Sequence, residues 1–172
     1  MRARQISCCF SGYRPDKLPW GGNEDDPRCR ALQERLRQVI DAACAEGYRH
    51  FICGMADGVD LYCCRIVQEL RRVYPITVEA AVPCPQQADH WPSARRTQYK
   101  ILLANCDQVT VLQPSYDRRC MMRRNRYMVD HAAMLIAVFD GQPGGTCRTV
   151  EYAMEQGLDV AIIPPVMQEG DK

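Results

Sequence analysis

No stretch of this sequence approaches the apolar length that a membrane-spanning helix requires, about 20 residues; runs such as Met134 to Phe139 stop far short. Excess charge of either sign is missing too. Lysine and arginine number 22 against 21 aspartates and glutamates, a formal net charge of +1. That balance supplies no global pull toward a membrane surface or a polyanion, and it argues against nucleic acid as a partner. Histidine is scarce. His50, His90 and His131 have no metal-like spacing, so no metal site is expected, and no Ser-His-Asp or Cys-His set stands out. The phosphate loop G-x-x-x-x-G-K-[ST] is absent, which disfavours nucleoside triphosphate hydrolysis, and no resident cofactor is expected. Cysteine is plentiful at eleven residues, yet the number is odd and no C-x-x-C pair occurs. Cys8, Cys53 and Cys63 sit in apolar segments, where cysteine acts as a small hydrophobe. The thiols therefore read as reduced packing residues of a cytoplasmic protein. Met1 to Gln5 leads into only a short apolar run and lacks the form of a signal peptide.

What is present suits one folded domain. An apolar fraction of 47% and a charged fraction of 25% over 172 residues are enough for a single sizeable core. Residues 1–166 are expected to form that domain and 167–172 a polar tail. Apolar runs without period-two alternation predict buried strands at Ile6–Phe10, His50–Cys53, Thr77–Val82, Gln108–Leu112, Met134–Phe139 and Val160–Ile163. Helical patterns lie between them. The clearest runs from Arg28 to Glu46, with Leu32, Leu36, Val39, Ile40 and Ala43 at helical spacing. Strand and helix alternating in this way, with almost no hairpin signals, predict an α/β fold: a mostly parallel sheet of about six strands with helices on both faces.

Three of those strands end in a glycine-bearing turn. The first runs into Ser11-Gly12-Tyr13-Arg14-Pro15, the second into Gly54-Met55-Ala56-Asp57-Gly58-Val59-Asp60, and the fifth into Asp140-Gly141-Gln142-Pro143-Gly144-Gly145-Thr146. A strand feeding a glycine turn and then a helix start gathers free N–H groups where an anion can sit. An open α/β sheet binds ligands outside the carboxyl ends of its strands, so all three turns should share one edge. Gly12, Gly54, Gly58, Gly141, Gly144, Gly145 and Thr146 are thus candidate ligand-binding residues, together with Arg14. Asp57, Asp60 and Asp140 have the chemistry to accept ribose hydroxyls, although Asp57 reads equally well as a helix cap.

The chain is most charged around its fifth helical pattern, where Arg118, Arg119, Arg123, Arg124 and Arg126 fall close together. The planar guanidinium fork suits phosphate, and a solvated face accounts for the cluster equally well. Arg124 and Asn125 are the favoured candidates, because they precede the apolar pair Met128 and Val129 on a helix that must reach the sheet. Glu151 lies in the first turns of the last helix. Such a carboxylate can act as general base or steady an oxocarbenium-like centre, or it can simply answer the helix dipole.

Together CCFSGYRP, GMADGVD, RRNRYMVD and IAVFDGQPGGTCRTVEYA resemble the YpsA-like branch of the SLOG superfamily, which groups DprA-type DNA-processing proteins with the lonely guy phosphoribohydrolases. The resemblance spans nearly the whole chain and implies a Rossmann-like three-layer fold for the domain. The lonely guy motif P-G-G-x-G-T-x-x-E falls on Pro143 to Glu151, with Cys147 in place of a glycine and Arg148 in place of the threonine. The motif M-x-x-R-K-x-x-M falls on Met121 to Met128, with Asn125 in place of the lysine. The resemblance therefore implies that Arg124 and Glu151 correspond to the two residues of hydrolysis in those enzymes.

The expected function is binding of a nucleotide or nucleotide-derived small molecule (a nucleoside monophosphate, NAD or ADP-ribose) at the glycine-rich edge, as a sensor. Two alternatives remain open from the residues: a lonely-guy-like hydrolase of an N-glycosidic bond, and a binder of single-stranded nucleic acid, which the near-neutral charge disfavours. Loops Asp16–Pro27 and Gln86–Trp91 would set ligand choice. Methionines and aromatics on the Arg124 helix suit either core packing or the contact of a homodimer.

Overall fold

Six strands form and all of them run parallel. The computed structural model describes residues 2–168 and Gly170; of the expected polar tail, residues 169, 171 and 172 lie outside the described residues. The chain runs through a short helix α1 (Arg2–Gln5), β1 (Ser7–Ser11), a 3-10 turn (Pro15–Lys17), α2 (Pro27–Glu46) and β2 (His50–Cys53). It continues through α3 (Val59–Leu70), β3 (Thr77–Val82), α4 (Ser93–Ala104), β4 (Gln108–Val111), α5 (Cys120–Asp130), β5 (Met134–Val138), α6 (Gly145–Glu155) and β6 (Asp159–Ile163).

The sheet order is β4-β3-β2-β1-β5-β6. Side chains alternate across the sheet, and on its central strands both faces are covered and both sets are apolar; the edge strand β4, expected to be buried, is largely exposed because it has a neighbour on one side alone. Cys8, Phe10, Phe51, Cys53, Val78, Ala80, Ile136 and Val138 pack against α2, α3 and α4. Cys9, Ile52, Ala81, Leu135 and Ala137 pack against Met128 and Val129 of α5 and Val150 and Ala153 of α6. Glu79 interrupts this pattern as a buried carboxylate in β3. Its oxygens accept a hydrogen bond from the Tyr127 hydroxyl at 2.9 Å and meet His50 Nε2 at 3.2 Å, as a buried polar group requires.

The eleven cysteines are all unbridged, nine of them buried and only Cys106 and Cys147 partly exposed. Burial pushes the Cys8, Cys9 and Cys63 thiols well up from their ordinary range, so these are packing residues rather than nucleophiles. The long loop after β1 is pinned down: Leu18 and Trp20 are buried, and the Trp20 indole donates to the Tyr62 hydroxyl at 3.2 Å. Glu24 in the same loop pairs with Arg65 at 3.1 Å and Arg95 at 2.9 Å. No helix among the described residues is long and apolar enough to cross a membrane.

Strand β1 leads into a helix on one face of the sheet and β5 into a helix on the other, since α2 belongs to the first core cluster and α6 to the second. The two connections diverge and leave a crevice at the carboxyl ends of these neighbouring strands, where ligands of open α/β sheets bind.

Candidate functional site at the sheet switch point

A cleft of about 270 Å³ opens at that crevice. Its floor is the end of β1 and the turn beyond it, Phe10 to Arg14. Asp16 and Lys17 overhang it, Ala56 and Asp60 form one wall, Met121, Arg124 and Asn125 of α5 another, and Gly145 and Thr146 the start of α6.

Arg124 is the buried cation of the site, only 3% exposed. It donates to the Gly54 carbonyl, to Gln87 Oε1 at 3.3 Å and, through Nε, to Asn125 Oδ1 at 2.8 Å. These acceptors are neutral, and the nearby charge is the carboxylate of Asp60. Gln87 in turn has its amide nitrogen buried without a partner among the described residues. Asp60 is 6% exposed and accepts the Ala56 N–H at 3.2 Å. Burial pushes its carboxyl upward, against the pull of Arg124 and Arg14; burial likewise lowers Arg124, with Asp60 opposing. The two meet at Gly54, where an added Cβ would lie 2.8 Å from Asp60 Oδ2 and 2.9 Å from Arg124 Nη1. Only glycine leaves room there.

Of the residues expected from sequence, Gly12, Arg14, Asp60, Arg124, Asn125, Gly145 and Thr146 line the cleft. Gly54 and Gly58 shape it from behind. Gly58, at φ 94°, caps α3 and lies against the backbone of the β1 turn, where a Cβ would come within 2.6 Å of the Tyr13 carbonyl oxygen. Gly144 caps α6 at φ 143°.

Four expectations need correction. Asp57 is outside the cleft lining, and the cap of α3 is Gly58; the Asp57 carboxylate accepts the Gly58 N–H at 2.9 Å and lies 3.6 Å from Arg95. Asp140 is outside the cleft lining. Its oxygens are taken by the Tyr13 hydroxyl at 2.5 Å and the Gln142 amide at 3.1 Å, and the Tyr13 bond holds its carboxyl below the usual range. Gly141, at φ 94°, turns the chain on the exposed side. Glu151 is exposed on α6, where it accepts the Cys147 thiol at 3.5 Å, because the helix carries it away from the cleft.

Sequence reasoning missed Lys17. Its ammonium donates to the Pro143 carbonyl at 3.0 Å and would lie 2.5 Å from a Cβ at Gly144, directly at the start of α6. The signal was a cation three residues beyond Arg14, on the same sheet edge, in a turn set by Pro15. Among the described residues no group of three His, Cys, Asp or Glu side chains is placed to hold a metal ion.

An open parallel sheet with a cation-lined cleft at its switch point defines a Rossmann-like α/β domain. The sequence profile of the YpsA family, described as YspA SLOG family, matches residues 8–161, and the chain belongs to that family. The SPbeta prophage-derived protein YoqJ of Bacillus subtilis (strain 168) is 28% identical over 147 residues, covering 77% of this chain and 86% of that protein. A UPF0398 protein of Bacillus thuringiensis (strain Al Hakam) is 26% identical over 151 residues, covering 86% of this chain and 82% of that protein. Among solved structures, DNA processing protein A (DprA) of Streptococcus pneumoniae shares the fold with a TM-score of 0.64 at 17% identity. The match takes in 98% of this chain and 53% of that one, so the chain spans about half the length of that DprA. DprA of Helicobacter pylori, whose structure concerns its single-stranded DNA binding mode, gives a TM-score of 0.61 at 13% identity over 98% of this chain and 68% of that one.

That last likeness overturns the expectation against nucleic acid. The expectation rested on a net charge of +1, which sums the whole surface. Binding to phosphate depends on where the cations gather, and here three of them gather around one cleft.

Proposed function

We propose that this protein binds the phosphate of a nucleotide in the cleft between the β1 turn and α6. One observation carries the reading: Arg14, Lys17 and Arg124 converge beside the first N–H groups of α6, with Arg124 buried on neutral acceptors alone. Among the described residues Asp60 is the one carboxylate near Arg124, so the three cations outnumber it, and an anion at a helix N-terminus is favoured; an arriving phosphate would answer both. Asp60 would then receive a ribose hydroxyl.

A second reading, attachment of single-stranded nucleic acid, is supported by the fold shared with the Helicobacter pylori DprA and by exposed Arg118 and Arg119 at the entrance to α5. Glycosidic hydrolysis has less support, since Glu151 lies outside the cleft lining.

Thermal denaturation with nucleoside 5′-monophosphates, NAD, ADP-ribose and a single-stranded oligonucleotide tests these readings, each positive sample being assayed for released base. A ligand at a hundred times its Kd should stabilise the fold by about 2.7 kcal/mol. Silence from every ligand would refute phosphate binding. Base release would restore the hydrolase reading and make Asp60 and Glu151 the residues to replace.

A further inference from the structure

We infer that Lys17 makes the cleft a receptor for a terminal phosphate, a phosphomonoester, and turns away the internal phosphodiester of a passing strand. The inference rests on the cleft being the phosphate site. It is carried by two features of Lys17, the bridge it makes and the charge it leaves uncompensated.

The bridge comes first. The Lys17 ammonium donates to the Pro143 carbonyl at 3.0 Å. Close by, the Tyr13 hydroxyl donates to Asp140 at 2.5 Å and itself accepts the Asp140 N–H at 3.3 Å. The Lys17 ammonium also lies 5.7 Å from the Tyr13 ring, so these contacts form one clasp. It ties the turn after β1 to the turn after β5 along that side of the cleft. A ligand with one end can enter from the open side. A polynucleotide whose internal phosphate occupied the site would need two exits, one of them through the clasp.

The charge follows. Among the described residues Lys17 pairs with no carboxylate, and its one acceptor is a neutral carbonyl. It stands at the N-terminus of α6, the positive end of the helix dipole, where a cation is disfavoured. A phosphate there would exchange a neutral acceptor for a charged one, and charge-assisted hydrogen bonds are about twice as strong. Three cations (Arg14, Lys17 and Arg124) face two carboxylates (Asp16 and Asp60) in the lining. The lining is thus net cationic, and burial disfavours the charged form of Asp60. A phosphomonoester brings about −1.5 to −2 at neutral pH; a diester brings one negative charge.

The test compares affinities by calorimetry for a nucleoside 5′-monophosphate and its 5′-phosphate methyl ester, and for one oligonucleotide with and without a 5′-phosphate. Wild-type protein and Lys17→Met, which keeps the aliphatic stem, are measured in parallel. We expect the monoester and the 5′-phosphorylated strand to bind wild-type protein about tenfold or more tightly than their partners, and the preference to shrink toward unity in Lys17→Met, in line with the loss of one charged hydrogen bond. Equal affinity for monoester and diester in the wild type would overturn the inference while leaving phosphate binding intact. So would a Lys17→Met variant that weakens both by the same factor. If no ligand of either kind binds, the phosphate reading itself falls and the inference falls with it.

Discussion

Two corners of this molecule look alike in sequence and differ in what they do. At Gly54–Val59 and at Asp140–Gly145 a buried strand ends, glycines turn the chain, and a helix begins. The first corner is packed shut. The Val59 N–H donates to the Tyr13 carbonyl at 3.2 Å, Gly58 lies against the same backbone, and Asp57 is held beside Arg95. The second corner is open: Gly145 has no neighbour within 4 Å of where a Cβ would stand, and the start of α6 lines the cleft beneath Lys17. Glycine serves close packing in one place and access in the other. A glycine turn before a helix marks a point where something must come near; whether that is backbone or ligand depends on the neighbouring strand.

The contrast can be broken at its packed end. Gly58→Ala combines a positive φ with a Cβ 2.6 Å from a carbonyl oxygen. It should cost about 3 kcal/mol, from backbone strain and overpacking together, visible as a lower urea midpoint. Arg124→Met should leave a folded chain yet weaken nucleotide binding by about 10- to 100-fold, the worth of a hydrogen bond to a charged group, as read by calorimetry. Unchanged affinity would remove Arg124 from the site. Gly145→Ala sharpens the comparison from the open end. Its unfolding free energy should change by no more than about 0.5 kcal/mol, while phosphate affinity falls because the new methyl stands in the approach path. A large loss of stability there would show the second corner to be packed like the first.

Much of the fold was legible because both faces of the sheet are covered. Buried parallel strands read as continuous apolar runs, so His50–Cys53 and Thr77–Val82 emerged with the bounds they have in the structure. The strand order did not, because no residue in β1 announces that β5 rather than β3 lies beside it. In the site, Arg124 was legible from its position before apolar Met128 and Val129, both of which are buried. Asp140 misled, since its place at a strand end says nothing of the Tyr13 hydroxyl that occupies it. Lys17 was hidden in a polar loop whose periodicity carries no signal; its role depends on a carbonyl 126 positions away.

The buried thiols have a consequence of another kind. Nine of the eleven cysteines lie inside the fold, spread from β1 through α2, α3 and α5. A thiol that is neither exposed nor ionised reacts only in the moments when its surroundings open. The chain therefore carries a set of internal clocks. Cys106 and Cys147 would run at the pace of the surface, and the rest at the pace of each layer's own breathing, so that alkylation, read site by site, becomes a map of local opening without any label being added to the protein.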